Sequence, residues 1–163
     1  VTPMQCAKDT AKWLNDYFEH VDLALDYANT EKPDKGVKRI RCYAGFAPYV
    51  TNRADAATYF PVVAVRVFDV VDDEDESVVT LRMYVGTYDS DMLLGSEWLM
   101  NILETIRYAL NTAKAINNQY FVRKDKKIET HVPDEQPYPQ WWGYLDVRVN
   151  IPQPMPEYEE MIE

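Results

Sequence analysis

A chain of 163 residues is long enough for one domain with a substantial core, and 47% hydrophobic with 27% charged residues is an ordinary soluble make-up. The formal net charge of -10 is local: residues 72–76 form one acidic run, Glu157, Glu159, Glu160 and Glu163 mark the end, and the remaining acids nearly balance the 17 Lys and Arg. Such a body has no broad basic face, which argues against sequence-reading nucleic-acid binders, and no apolar run approaches the ~20 residues of a membrane span.

The first element is a helix. Thr2 can cap it, Pro3 suits its first turn, and Gln5 can complete a capping box; Ala7, Leu14, Phe18 and Val21, with Trp13 and Tyr17 beside them, give one apolar face. Its end falls between His20 and Ala28. Residues 32–36 read as a turn around Pro33 and Gly36. A strand then alternates Ile40, Cys42 and Ala44 with Arg39, Arg41 and Tyr43, and residues 45–60 show no period and read as a long loop.

The clearest strands are 61–71 and 77–88, β-branched and joined by the acidic run as a hairpin loop. Val63, Val65 and Val67 face the core with Val79, Leu81, Met83 and Val85; Arg66, Arg82 and Tyr84 face away. The longest helix spans about 90–115, with Leu99, Leu103, Ile106, Leu110 and Ala113 on one stripe, widened by Trp98 and Ile102. Residues 120–132 read as a strand or hairpin arm with a charged middle. A last strand over 144–151 turns Leu145, Val147, Val149 and Ile151 inward and Asp146, Arg148 and Asn150 outward. Pro152, Pro154 and Pro156 then favour an extended tail ending in acids. One domain over 1–151 and a tail over 152–163 follow.

Chemistry is sparse. Cys6 and Cys42 read as small buried thiols of a reducing compartment; with no basic, apolar leader in view, the expected place of action is the cytoplasm. His20 and His131 have no partner at a ligand spacing, and the scattered glycines make neither a nucleotide-binding loop nor a nucleophile elbow. Asp89, Asp91, Asp125 and Lys127 are the residues from which a metal-dependent nuclease would have to be built, though such pairs arise easily among 27 acids. No cofactor is expected.

Contact surfaces are better represented. The aromatic share of 13%, with 12 Tyr and 4 Trp, is high, and such residues are over-used where proteins touch. Arg39, Arg41, Arg66, Arg82 and Arg148 fall away from the core together with Tyr43, Tyr84 and Tyr144, either as solvated salt bridges with Asp146 or as a sheet face covered by a neighbouring subunit. Asp72, Asp73, Glu74, Asp75 and Glu76 form a solvated hairpin tip or a charged rim. The cluster Arg123, Lys124, Lys126 and Lys127 is the candidate basic partner for that rim, head-to-tail between copies. Tyr138, Trp141 and Trp142 supply large rigid contacts, or else cap the domain's own core, and Gly143 reads as the point where the chain turns into the last strand.

The stretch from Val132 through Pro137-Tyr-Pro-Gln-Trp-Trp-Gly143 and on to Ile151-Pro-Gln-Pro154, taken with the helical stretch Trp98-Leu-Met-Asn-Ile-Leu-Glu-Thr-Ile-Arg107, resembles small tail proteins of long-tailed phages and prophages of Gram-positive bacteria. The resemblance covers roughly residues 90–155 and points to the tail terminator, or tail-completion, type. It implies a sheet flanked by helices and a ring, commonly hexameric, that caps the tail tube, stops its polymerisation and meets the head connector. Partners would be further copies of the chain, tail-tube and head-connector proteins, acting in the bacterial host cytoplasm during assembly and then in the virion tail. Acidic segments lining a DNA passage would keep a phosphate backbone from sticking.

The expectation is therefore an α+β fold, a largely antiparallel or mixed sheet of four to six strands with two main helices packed on one face. The expected role is structural, without catalysis, sequence-specific nucleic acid or membrane. The alternatives are another neck or minor tail protein, the nuclease just described, and a monomeric host-directed adaptor.

Overall fold

The computed structural model describes residues 1–21, 40–46 and 59–153. The expected turn at 32–36, Arg39, most of the loop at 45–60 and the tail from 154 lie outside the described residues. Helix α1 (Pro3–His20) begins as its sequence dictates: Thr2 Oγ1 accepts the Gln5 N–H at 3.0 Å and Pro3 opens the first turn. The reciprocal half of a capping box is not made, because the Gln5 side chain donates forward to Asp9 Oδ1 at 2.9 Å. The buried stripe is Cys6, Ala7, Thr10, Ala11 and Leu14, mostly small residues that let the helix lie close to the sheet.

Strand β1 (Arg41–Ala44) is the sheet edge and runs parallel to β2 (Val62–Asp72). Its outer backbone groups are covered by a side chain: the Asn15 amide accepts from the Cys42 N–H at 2.9 Å and donates to the Cys42 carbonyl at 3.0 Å. That double bond fastens α1 to the edge and blunts it against pairing with another strand. The hairpin of β2 with β3 (Ser77–Tyr88) pairs the residues expected to face the core, Val63 opposite Val85, Val65 opposite Met83 and Val67 opposite Leu81. A bulge between Val67 and Asp69 follows.

Helix α2 (Met92–Thr112) is capped by Asp91, whose carboxylate accepts from the N–H groups of Leu93 and Leu94. Trp98, Leu99, Ile102, Leu103, Ile106 and Leu110 are buried as the stripe requires, and Ala113 is the residue that ends it. β4 (Ala115–Ile116) and β5 (Tyr120–Val122) are joined by a turn in which Asn117 and Asn118 both take positive φ, a conformation Asn tolerates. β6 (Glu129–His131) and β7 (Gln140–Ile151) complete the chain.

β7 is the central strand, paired with β3 along its whole length on one side and with β6 and then β5 on the other. The order is β1-β2-β3-β7-β5-β4, with β6 also on β7. The fold is α+β with a mixed sheet, and among the described residues its seven strands exceed the expected four to six because residues 115–131 supply three short ones. The last strand also begins four residues earlier than its alternation suggests. Gly143 does not turn the chain: it lies within β7 opposite Val85, and a Cβ there would stand 2.9 Å from the His131 carbonyl oxygen of β6.

Both helices contribute to one core with the inward residues of β2, β3 and β7. α1 and β5 are tied by Tyr120, buried to 1% exposure, whose hydroxyl donates to Asp9 Oδ2 at 2.5 Å. Burial, and then that carboxylate, raise the Tyr120 pKa well above its ordinary value, while the hydrogen bonds from Tyr120 and then Gln5 hold the Asp9 carboxyl below its own.

Candidate functional site

Strand alternation that sends valine, leucine and methionine to the helices leaves arginine and aromatic residues on the opposite face. There Arg82 stands between Arg66 and Asp146, and Tyr84 opposite Tyr144. The side chains form one connected layer. Trp142 lies 6.2 Å from Tyr84 and 6.0 Å from Tyr144, Tyr84 lies 5.9 Å from Tyr144, and Tyr144 stacks on His131 at 5.0 Å, ring centre to ring centre. Guanidinium planes continue it: Arg82 sits 3.8 Å from the Phe68 ring and 4.4 Å from Tyr144, and Arg66 sits 3.9 Å from Phe46 and 5.2 Å from Tyr84.

The layer is partly fixed and partly open. Arg82 grips Asp146 with two bonds, Nε to Oδ1 at 2.8 Å and Nη2 to Oδ2 at 3.0 Å, and Asp146 is only 5% exposed. This pair is the built-in half of the face. Phe46 and Phe68, at 77% and 54% exposure, are its open half. Phe68 falls on this side by the same period of two that turns Arg66 outward, and it is the unpaired residue of the β2 bulge between Val67 and Asp69. Phe46 lies in a stretch with no period at all. Arg148, on the same face, donates to the Lys127 carbonyl at 3.0 Å.

Of the expected aromatic contacts, Trp141 belongs elsewhere. It points to the helix side, is 8% exposed and joins the core, where its Nε1 donates to the Asp89 carbonyl at 3.0 Å. A Cβ on Gly95 would stand 2.1 Å from that nitrogen, so glycine in the first turns of α2 is what admits the indole. Tyr138, 56% exposed, donates its hydroxyl to the Ser90 carbonyl at 2.8 Å and meets Trp141 edge to face. The Pro-Tyr-Pro-Gln-Trp segment is thus clasped to the start of α2. Trp142, one residue on, faces the open side.

The acidic run and the basic cluster do meet, within one chain. Arg123 Nη1 donates to Glu76 Oε2 at 2.5 Å and its other arm holds Asp125 at 2.5 Å. Those bonds keep the Glu76 carboxyl below its ordinary range and pull Asp125 down to about 2. Asp73 is spent on its own turn, accepting the N–H groups of Asp75 and Glu76 at 2.8 Å, and Asp72 accepts from Ser77 Oγ. Lys124 Nζ donates to the Asn111 carbonyl at the end of α2. The head-to-tail pairing expected between copies is therefore already made in cis for Arg123; Lys126, Lys127, Glu74 and Asp75 remain as exposed residues of the two groups.

The acids and lysine required by a nuclease are not brought together. Asp89 accepts from the Asp91 N–H at 2.8 Å, and Asp91 caps α2; both lie by the β3 end, where Tyr88 pairs with Gln140. Asp125 and Lys127 follow Val122, which pairs with Val149, nine residues along β7 and so roughly 30 Å away at ~3.3 Å per residue. Among the described residues no group of three or more His, Cys, Asp or Glu converges as a metal-ligand set. His20 Nδ1 donates to the Asp16 carbonyl at 2.7 Å. Cys6 and Cys42 are buried, and burial pushes both thiols up to about 12. Among the described residues no helix is long and apolar enough to cross a membrane. No protein-family model matches this chain, and no curated protein matches it.

Proposed function

We propose that this chain is a virion assembly subunit of a long-tailed phage or prophage, of the tail-terminator type, that caps the tail tube as a ring and contributes to the head–tail junction without catalysis of its own. The observation that carries the assembly reading is the connected aromatic and guanidinium layer on the sheet face opposite α1 and α2, open at Phe46 and Phe68 beside Arg66. Aromatic residues and arginine are what protein contacts favour, and two exposed phenylalanines beside arginine make an apolar centre with a polar rim. The tail-terminator assignment rests on the resemblance of residues 90–155. In that stretch Trp141 and Gly95 interlock, a physical reason for the Pro-Tyr-Pro-Gln-Trp turn and the preceding helix to occur together.

The test is the size and shape of the purified protein, by light scattering and negative-stain electron microscopy. Closed rings are expected, and the double substitution Arg66→Glu with Phe68→Ser should break them into single chains that remain folded. A wild-type protein that stays monomeric at every concentration would sink the ring and favour the adaptor. Open filaments would sink the capping role.

A further inference from the structure

A second surface lies where β7 leaves the sheet. An open groove of about 490 Å³ is lined by Lys114, Phe121, Val122, Arg123, Lys124 and Asp125. Phe121 is 65% exposed there. Three of the six lining residues are cationic, and the single carboxylate, Asp125, is already closed against Arg123. In a chain of net charge -10 this is a locally basic seat with an aromatic ring in it. Lys124 uses one donor on Asn111, and an ammonium group has three.

The sequence that follows β7 has the complementary chemistry. Phe121 is the register partner of Asn150, and Gln153 is held at the hairpin tip, where its side-chain amide donates to the Asp73 carbonyl. Gln153 therefore lies about 10 Å along the strand direction from Phe121, at ~3.3 Å per residue, and residues 154–163 follow it in sequence. They carry Pro154, Pro156 and Tyr158 with Glu157, Glu159, Glu160 and Glu163. Extended at ~3.1 Å per residue, ten residues reach roughly 31 Å, enough to fold back across the groove. Prolines in such a segment dock on exposed aromatic rings, and glutamates answer lysines.

We propose that the proline-rich acidic segment 154–163 seats in this groove of its own chain, its prolines on Phe121 and its glutamates against Lys114 and Lys124. Attachment beside the groove gives the segment an effective concentration in the millimolar range, which favours its own chain over a second copy at working dilution. The inference does not depend on the phage reading.

The test uses the full chain carrying Tyr158→Cys, with a benzophenone attached to the introduced thiol; the buried Cys6 and Cys42 thiols stay unmodified at neutral pH. After illumination, a cross-link from the tail to the tryptic peptide 115–123, in material that still migrates as a single chain on a denaturing gel, is the expected result. Glu157→Lys with Glu159→Lys and Glu160→Lys, changes outside the described residues, should abolish most of that product. So should raising the ionic strength from about 0.1 M to about 1 M, which cuts the screening length from about 10 Å to about 3 Å. A cross-link to 115–123 found only in material of twice the chain mass would overturn the proposal in favour of a second copy. Cross-links that miss 115–123 altogether would overturn it outright.

Discussion

The two faces of the central sheet use the same strands for opposite ends, and β7 shows it in consecutive residues. Trp141 points toward the helices, loses nearly all its exposure and places its N–H on the Asp89 carbonyl. Trp142 points the other way and lies in a layer of rings with Tyr84 and Tyr144. On the helix side, contacts are mostly aliphatic and closed. On the other, rings and guanidinium groups touch one another in a connected layer while an edge of it, at Phe46 and Phe68, remains open. An aliphatic face commits a sheet to its own fold, whereas an aromatic and arginine face holds its shape and still has surface to offer.

The sharpest way to break that comparison is to truncate the two tryptophans separately. Trp141→Ala should cost about 3–5 kcal/mol, the range for removing a large buried aromatic. At about 2–4 °C per kcal/mol for a chain of this size, the melting temperature should fall by roughly 6–20 °C. Trp142→Ala should cost markedly less and act mainly on self-association. Equal losses of thermal stability would show that the outer layer is as much part of the core as the inner one.

Next in size is the buried anchor of the outer face. Asp146→Ala leaves the Arg82 guanidinium beside Phe68 and Tyr144 without its carboxylate. Breaking a fully buried pair from one side costs about 3–5 kcal/mol; Arg82 keeps 20% side-chain exposure, so the loss should sit at or below the bottom of that range. Replacing both partners together should be milder than Asp146→Ala alone, as urea denaturation would show. Gly95→Ala comes third. It drives a methyl group into the Trp141 indole, and overpacking of this kind costs about 1–3 kcal/mol. A neutral outcome in the same denaturation experiment would mean that the indole can move aside freely.

The inner face was legible in the sequence because period-two and helical spacing act on it directly: Val63, Val65, Leu81, Met83, Leu145 and Val147 fall where alternation puts them. What escaped lies where alternation is interrupted or where a contact joins distant residues. The bulge between Val67 and Asp69 breaks the alternation of β2 part-way along, Gly143 disguises the early start of β7, and the parallel pairing of β1 leaves no local mark. The Asn15 bonds to Cys42 span 27 positions, and no spacing rule reaches them. For the candidate site, Arg66, Arg82 and Tyr84 were readable as outward residues. That Arg82 is committed to Asp146, that Trp141 belongs to the core, and that Arg123 reaches Glu76 within the same chain all depend on three-dimensional register.

The smallest expected effect concerns the charged end of the sheet, where both faces run out. Hydrogen bonds from Arg123 lower the Asp125 carboxyl to about 2 and hold Glu76 below its ordinary value. A carboxylate whose folded pKa is depressed contributes stability that is fully present above its unfolded value, near 3.9 for Asp and 4.3 for Glu, and that is lost as pH falls through the folded one. For Asp125 the loss therefore runs from about pH 4 to about pH 2. Both groups are exposed to solvent, so the effect belongs to the titration curves rather than to the overall melting temperature. Arg123→Ala should move the Asp125 midpoint from about 2 back toward roughly 3.9 and raise that of Glu76 with it, measured by carboxyl carbon NMR. A wild-type Glu76 that already titrates at its ordinary value would remove the cis pairing with Arg123, and with it the reason for reading the hairpin tip and the basic cluster as one unit rather than as complementary patches of neighbouring copies.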